Sequence, residues 1–184
     1  MDELNSENYL YSTSKLCLAL DCEMVGVDTG DVHMLARVSI VDRDGSCIYD
    51  KYVKPQKEVV DYRTPISGIR PEHLSTGEAY HKVEQDVKNI LNGCILVGHA
   101  LHHDLQVLNL KHPKHMIRDT SLYKPFRKIS GGKTPSLKLL AKEVLNKSIQ
   151  IGEHSSIEDA FTAMQIYLRY QEKWEKSCRS RRYR

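Results

Sequence analysis

Three strand-like runs of alternating hydrophobic and polar residues open the chain. They cover residues 15–26 (KLCLALDCEMVG), 34–42 (MLARVSIVD) and 46–55 (SCIYDKYVKP). An Asp44–Gly45 pair lies in the link between the second and third runs. Asp-Gly between two alternating segments is typical of a β-hairpin turn. The pattern therefore predicts that the first three strands form an antiparallel meander.

The second half of the chain alternates helical periodicity with short apolar runs. Val83, Val87 and Leu91 recur at helical spacing, and Gly93 marks a stop. The second half of the chain thus predicts helices over 83–91, 98–110, 135–145 and 155–174. It predicts strands over 94–98 and 116–119. Residues 61–74, rich in Pro and Gly, predict a loop that runs into a short helix. A strand–helix–strand order favours parallel pairing. We therefore predict an α/β fold whose mixed sheet is antiparallel at first, parallel later, and flanked by helices.

The length of 184 residues and a hydrophobic content of 40% predict one folded domain. We place its boundaries at 15–176, between an N-terminal extension (1–14) and a basic tail (177–184). No apolar run approaches the roughly 20 residues of a membrane helix, so we expect no membrane partner. The polar start does not resemble a secretory signal. Five cysteines without a C-x-x-C pair predict reduced thiols and an intracellular location.

Positive charge is concentrated in two stretches. Between Lys111 and Lys133 there are five Lys and two Arg against the single acid Asp119, and the chain ends RSRRYR. Such clusters suit a polyanion such as nucleic acid. The alternative interpretation is a solvated face with a frayed tail. The tail also fits residence in the nucleus or nucleolus.

Two carboxylates interrupt the first strand. Asp21 and Glu23 are two residues apart, so on a strand they share one face, whereas Leu18, Leu20 and Cys22 line the other. Like charges in a half-buried place repel and lose solvation, so something must compensate them. An ion pair with Lys or Arg is one solution, and a bound cation is another.

Three further polar residues complete a candidate site. Asp104 lies early in the predicted helix after the CILVG strand, and Asp159 lies near the start of the last helix, five residues after His154. A favourable helix dipole could explain Asp104 alone, and a capping box from Ser156 could explain Asp159 alone. If both helices pack beside a central first strand, however, four carboxylates converge. Such oxygen-rich clusters suit two Mg²⁺ or Mn²⁺ ions in phosphoryl transfer, with His154 as general base.

The motifs DCEMVG, GHALHHDL and HSSIED resemble the three motifs of the DEDDh 3′–5′ exonucleases, which have a ribonuclease H-like fold. The longer strings YDKYVKP, DYRTPISGIRPEHL, RDT and EHSSIEDAFTAM are similar to the RNA exonuclease 4 and interferon-stimulated exonuclease group. The likeness runs from about Lys15 to Trp174. It implies a metal-dependent enzyme that shortens single-stranded nucleic acid from its 3′ end and releases 5′-mononucleotides.

The resemblance also assigns roles to individual residues. It implies that two divalent cations are bound by four acids: Asp21, Glu23, Asp104 and Asp159. It implies that His154 is the general base. A sister subfamily of these exonucleases has a Tyr four residues before the last Asp. This chain has Ser155 at that position, so the resemblance is to the subfamily that uses His.

Two substrate-binding residues are expected less directly. The resemblance suggests that Met24 touches the terminal nucleotide, although strict alternation places it on the Leu20/Cys22 face, where core packing is the alternative. Arg63 could anchor a phosphate or contact a 2′-OH, or it could be a solvated loop residue.

RNA is favoured over DNA as the substrate. The competing functions are a non-catalytic RNA-binding module and a metal-dependent endonuclease. The sequence predicts no oligomeric state.

Overall fold

A six-stranded mixed sheet forms the centre of the fold. The structure is a computed structural model that describes residues 16–180. Its strands are β1 (Cys17–Val27), β2 (Val32–Val41), β3 (Cys47–Tyr52), β4 (Val59–Asp61), β5 (Ile95–Gly98) and β6 (Ile117–Asp119). The order is β3-β2-β1-β5-β6, and β4 pairs with the end of β1. The first three strands are antiparallel, whereas β5 is parallel to β1 and β6 to β5. The predicted mixed sheet is thus confirmed, with β1 at its centre.

Helices cover both faces of this sheet. They are α1 (Thr64–Ser67), α2 (Pro71–Ser75), α3 (Tyr80–Leu91), α4 (His102–Val107), α5 (Leu137–Leu145) and α6 (Ser156–Ser180), with 3₁₀ turns at Lys114–Met116 and Lys124–Lys128. Alternate residues of β1 enter two separate cores. Cys17 and Ala19 pack with α5 and α6, whereas Leu18 and Leu20 pack with α3 and Leu101. Because both faces are buried, β1 holds its side chains rigidly in the middle of the molecule.

The connection between β3 and α3 is more ordered than the sequence indicated. The predicted loop over 61–74 contains the end of β4 as well as α1 and α2. Strand β4 pairs with the end of β1 through Gly26 and Val27. A three-residue strand is too short to show alternation, and its partner is distant along the chain, so its pattern could not reveal it. Helix α1 is bounded by left-handed residues, Arg63 (φ 52°) and Gly68 (φ 65°).

The last helix reaches the C-terminal end of the described residues. Helix α6 continues to Ser180, so it includes the first residues of the predicted basic tail. The extension over 1–14 and residues 181–184 of the tail lie outside the described residues. Within the described part, none of the helices has the length and apolarity needed to cross a membrane.

Candidate active site

Strand β1 presents the first two acids of the candidate site. Asp21 and Glu23 follow Cys17 and Ala19 in alternation, so they lie on the face that α6 covers. Leu18, Leu20 and Cys22 pack together on the opposite face, as predicted. A register shift interrupts the pairing of β1 with β2 directly after Glu23. The regular pairing of β1 with β2 is therefore interrupted at this acid, although the strand continues to Val27.

Asp104 is held against β1 by its own side chain. The backbone N–H of Cys22 donates a hydrogen bond of 2.9 Å to Asp104 Oδ1. The residue lies in the first turn of α4 and is 4% exposed. Its position agrees with the helix-dipole interpretation. The bond from Cys22 shows, in addition, that the carboxylate points at the strand that carries Asp21 and Glu23.

Asp159 and His154 approach from the start of α6. His154 Nδ1 lies 3.8 Å from Asp159 Oδ2. The same oxygen accepts a 2.8 Å hydrogen bond from Gln150 Nε2. Asp159 Oδ1 is buried and has no hydrogen-bond partner. One oxygen of this carboxylate is thus fixed by the protein, and the other is left available.

The capping-box explanation of Asp159 is wrong. Ser156 is the first residue of α6, and its hydroxyl bonds the Ser39 hydroxyl of β2 at 2.7 Å. The Ser39 hydroxyl donates to Asp50 Oδ1, so Ser156 is the donor in the pair. The backbone N–H of Asp159 donates to the carbonyl of Ser155 at 2.9 Å and not to the Ser156 hydroxyl, and Asp159 Oδ2 accepts its bond from Gln150.

The carboxylates are close enough to influence each other's ionisation. Burial, and then the charges of Asp104 and Asp159, raise the pKa of Asp21 well above its ordinary value. Burial raises the pKa of Glu23 to about 7, although Arg37 opposes this shift. Burial also raises the pKa of Asp104 to about 7 despite its bond from Cys22. These shifts show carboxylates that lack compensating positive charge in the protein alone.

No ion pair supplies that charge. Among the residues that the structure describes, neither Asp21 nor Glu23 pairs with a lysine or arginine. The cation that acts on Glu23 is Arg37, and its guanidinium is committed to both carboxylate oxygens of Asp50, at 2.8 Å each. Glu23 Oε1 is consequently buried without a partner. The ion-pair alternative left open by the sequence is therefore excluded for these two acids within residues 16–180.

The donor set fits a hard divalent cation. Two buried carboxylate oxygens, Glu23 Oε1 and Asp159 Oδ1, have no partner, and carboxylate oxygens are the ligands that Mg²⁺ and Mn²⁺ prefer. Within the described range, no three Asp, Glu, His or Cys side chains already form a cluster that could hold an ion.

The two expected substrate-binding residues differ in their surroundings. Met24 packs against the core beside Leu20, as alternation indicated, and also lines a groove of about 470 Å³ with His33 and His103. Arg63 donates to the carbonyl of Gly30 at 2.7 Å and to His33 Nδ1 at 2.8 Å. Its guanidinium is thus engaged by the β1–β2 turn. A substrate contact by either residue remains a prediction.

Two residues that position the site were not among those predicted. Gln150 orients Asp159, but it belongs to an irregular segment and has a left-handed backbone (φ 55°). Asp119 accepts the backbone N–H groups of Ala100 and Leu101, each at 3.0 Å, and so fixes the start of α4. The RDT string contained Asp119, but no local pattern connects it with α4. Both partnerships depend on chain segments that meet only in the folded protein.

Comparison with known proteins agrees with this geometry. A family model described as Exonuclease matches residues 18–167, a span that includes all four acids and His154. The chain belongs to this exonuclease family. The resemblance inferred from the motifs is confirmed, and so is the ribonuclease H-like fold.

Individual relatives of this exonuclease domain are longer proteins. Human RNA exonuclease 4 is 54% identical over 166 residues, which cover 90% of this chain and 39% of that protein. The chain thus spans about two fifths of that relative. The Pan2 catalytic unit of Neurospora crassa has a TM-score of 0.77 at 30% identity, over 89% of this chain and 28% of that one. The Saccharomyces cerevisiae Pan2 pseudoubiquitin hydrolase–RNA exonuclease module, in complex with AAUUAA RNA, has a TM-score of 0.75 at 31% identity over 90% and 30%.

Proposed function

We propose that this domain is a divalent-metal-dependent 3′–5′ exonuclease that hydrolyses single-stranded RNA and releases 5′-mononucleotides. The observation that carries the proposal is the pair of buried, unpartnered oxygens in the carboxylate cluster, Glu23 Oε1 and Asp159 Oδ1. Buried polar atoms in native proteins normally have partners. Two such atoms facing one cluster are best explained by cations that bind there. Membership in the exonuclease family supports the same reaction class.

The four acids Asp21, Glu23, Asp104 and Asp159 would hold two Mg²⁺ or Mn²⁺ ions. When bound, such ions activate water and stabilise the attacking and leaving oxygens of a phosphodiester. The protein contributes a rigid frame, because β1 is buried on both faces and the Cys22 N–H fixes Asp104. It also contributes an orienting bond from Gln150, which leaves Asp159 Oδ1 free to act as a ligand.

His154 is the proton acceptor in this proposal. Its side chain is partly exposed, so that it can reach a water at the edge of the cluster and release the proton to solvent. Its Nδ1 lies 3.8 Å from Asp159 Oδ2. The proposed proton acceptor thus lies just before α6, and the proposed metal ligand Asp159 lies in the first turn of that helix.

Exposed positive charge on this domain and the names of its relatives together support RNA as the proposed substrate. Six cations of the basic stretch are exposed and make no ion pair within the described residues: Lys111, Lys114, Lys124, Arg127, Lys128 and Lys133. Exposed, uncompensated cations suit a phosphate backbone. The name of the human relative and the RNA complex of the yeast structure point the same way. A nuclear or nucleolar location stays a prediction.

The test is a direct assay of polarity, metal dependence and sugar preference. Single-stranded RNA and DNA of one sequence, labelled at the 5′ end, are incubated with the protein in Mg²⁺ and then in EDTA. We expect the RNA to shorten progressively from its 3′ end in Mg²⁺ only, with mononucleotide products. Asp21→Ala should abolish shortening while leaving RNA binding intact.

Three other outcomes would overturn the proposal. RNA that is bound but never shortened indicates a non-catalytic binding module. Cleavage of a circular RNA indicates an endonuclease, because a circle offers no 3′ end. An Asp21→Ala variant that digests as fast as the parent shows that the carboxylate cluster is not the catalytic centre.

A further inference from the structure

The segment that carries His154 is anchored in the core by Ile149 but is exposed at its tip. It connects α5 to α6 over residues 146–155. At its tip, Ile151 is 81% exposed, and no heavy atom lies within 4 Å of where a Cβ on Gly152 would be. The position of His154 therefore depends on contacts made on either side of this exposed tip. Gln150 provides one of them through Asp159.

On the side of the tip that carries His154, the contacts come from residues 63–75, which we call the α1–α2 segment. The backbone N–H of His154 donates to the carbonyl of Ile66 at 2.6 Å. Arg70 forms a two-pronged ion pair with the preceding residue, Glu153, through Nη2–Oε1 at 2.5 Å and Nη1–Oε2 at 3.1 Å. Arg70 Nη1 also donates to the carbonyl of Gly68 at 2.9 Å. One guanidinium thus joins the end of α1 to the residue before His154.

Glycine at position 68 makes this close approach possible. A Cβ there would lie 3.3 Å from Glu153 Oε2 and 3.5 Å from the carbonyl oxygen of His154, and the backbone is left-handed (φ 65°). At its other end, the segment is attached to the β1–β2 turn by Arg63 and the carbonyl of Gly30. The α1–α2 segment therefore links the strand that carries Asp21 and Glu23 to the segment that carries His154.

We propose that Arg70 and Glu153 are positioning residues whose ion pair holds His154 in its place beside Asp159. The inference rests on the proposed function, since it gives the ion pair a role through the general base. The two side chains are 41% and 44% exposed. Exposed ion pairs contribute little to folding stability. A two-pronged pair does restrict geometry, and small displacements of a catalytic group are expensive in rate.

The test is a double-mutant cycle on kcat and KM. In saturating Mg²⁺, Arg70→Gln and Glu153→Gln should each lower kcat for single-stranded RNA about tenfold, with KM within about twofold of the parent value. The double variant should be no worse than either single variant, because both remove the same contact. Lys82→Gln is the matched control: it breaks the exposed Lys82–Asp86 pair on α3 and should leave both constants unchanged.

A second readout does not depend on catalysis. The His154 amide donates to Ile66, so its hydrogen exchange should become faster in Arg70→Gln and Glu153→Gln but not in Lys82→Gln. Unchanged exchange, or full kcat in Glu153→Gln, overturns the positioning role. A raised KM in Arg70→Gln alone also overturns it and indicates that Arg70 binds phosphate directly.

The proposed function fails in a distinguishable way. If His154→Ala retains full activity, the general-base assignment is wrong. The exchange measurement then still decides whether the ion pair holds this segment in place.

Discussion

Glu23 and Asp119 are equally buried carboxylates with opposite surroundings. Each residue is 6% exposed. Asp119 accepts four hydrogen bonds: the backbone N–H groups of Ala100, Leu101 and Ser121, and the Ser121 hydroxyl. Glu23 Oε1 accepts none, and burial raises the pKa of Glu23 to about 7. The same fold thus satisfies one buried carboxylate completely and leaves another uncompensated.

Under the proposed function, this difference is the one expected between a structural acid, Asp119, and a metal-binding acid, Glu23. The bonds to Asp119 join β6 to the start of α4, so its charge stabilises the fold. The charge of Glu23 opposes folding unless a cation is present. Burial is therefore a poor guide to function for an acid, and the state of its individual oxygen atoms is a better one.

The largest expected effect is on catalysis, in Glu23→Gln. Removing the charge should lower Mg²⁺-dependent RNA hydrolysis on the order of a thousandfold, because a metal ligand is lost and metal activation contributes several kcal/mol. At pH 8, the metal-free variant should unfold at a urea concentration no lower than the parent, since a repelling charge has been removed. A variant that loses stability instead of activity would place Glu23 in the same class as Asp119.

Asp119→Ala should lower the stability of the fold, in contrast to Glu23→Gln. It leaves the N–H groups of Ala100 and Leu101 without acceptors, so we expect a loss of about 3 kcal/mol in the free energy of unfolding. Urea denaturation measures this loss. The control is Asp44→Ala, an exposed turn residue, which should change stability by less than about 0.5 kcal/mol. Equal effects of the two variants would contradict the structural role of Asp119.

The stability of the metal-free protein should fall as the pH rises. The pKa values of Glu23 and Asp104 are raised by burial to about 7, above the value of about 4 expected in the unfolded chain. The folded state therefore binds more protons between these values, and stability is lost as pH rises through about 7.

We expect the free energy of unfolding in EDTA to drop by a few kcal/mol between pH 5 and pH 8, because both carboxylates lose their protons over this range. Saturating Mn²⁺ should restore more of it at pH 8 than at pH 5. Denaturant titrations at the two pH values measure both effects. A metal-free protein whose stability rises over this range would show that the acids are compensated after all.

The smallest expected effect is that of Gln150→Leu. The substitution removes the 2.8 Å bond to Asp159 Oδ2 but retains the four acids. Loss of a residue that orients a metal ligand typically lowers metal affinity about tenfold or somewhat more, so the Mn²⁺ concentration for half-maximal activity should rise by that factor. Isothermal titration with Mn²⁺ provides the matching measurement without substrate. Unchanged affinity would mean that Asp159 is oriented by its helix alone.

Much of the fold could be predicted from local patterns. The alternation in β1–β3, the helical spacing of Val83, Val87 and Leu91, and the Asp44–Gly45 turn are all confirmed by the structure. Each pattern reports burial that repeats along a single element. The short strand β4 was missed because three residues are too few to repeat.

By itself, the sequence determined which acidic residues lie at positions where the local pattern predicts apolar or neutral residues. Asp21 and Glu23 interrupt an apolar strand, and the order of the motifs is a property of the chain alone. Only the tertiary structure decided how these charges are compensated. It commits Arg37 to Asp50 and Arg63 to the β1–β2 turn, so neither cation neutralises the cluster.

The tertiary structure also decided how the site is supported. It places Gln150 on Asp159 and ties Arg70 to Glu153 beside His154. The physical reason is the sequence separation over which each kind of interaction acts. Periodicity reports the burial of neighbours along one element, whereas hydrogen bonds and ion pairs join residues that are distant in sequence. Some of these contacts also rely on left-handed residues, such as Gly68, whose conformation is set by the packing around them.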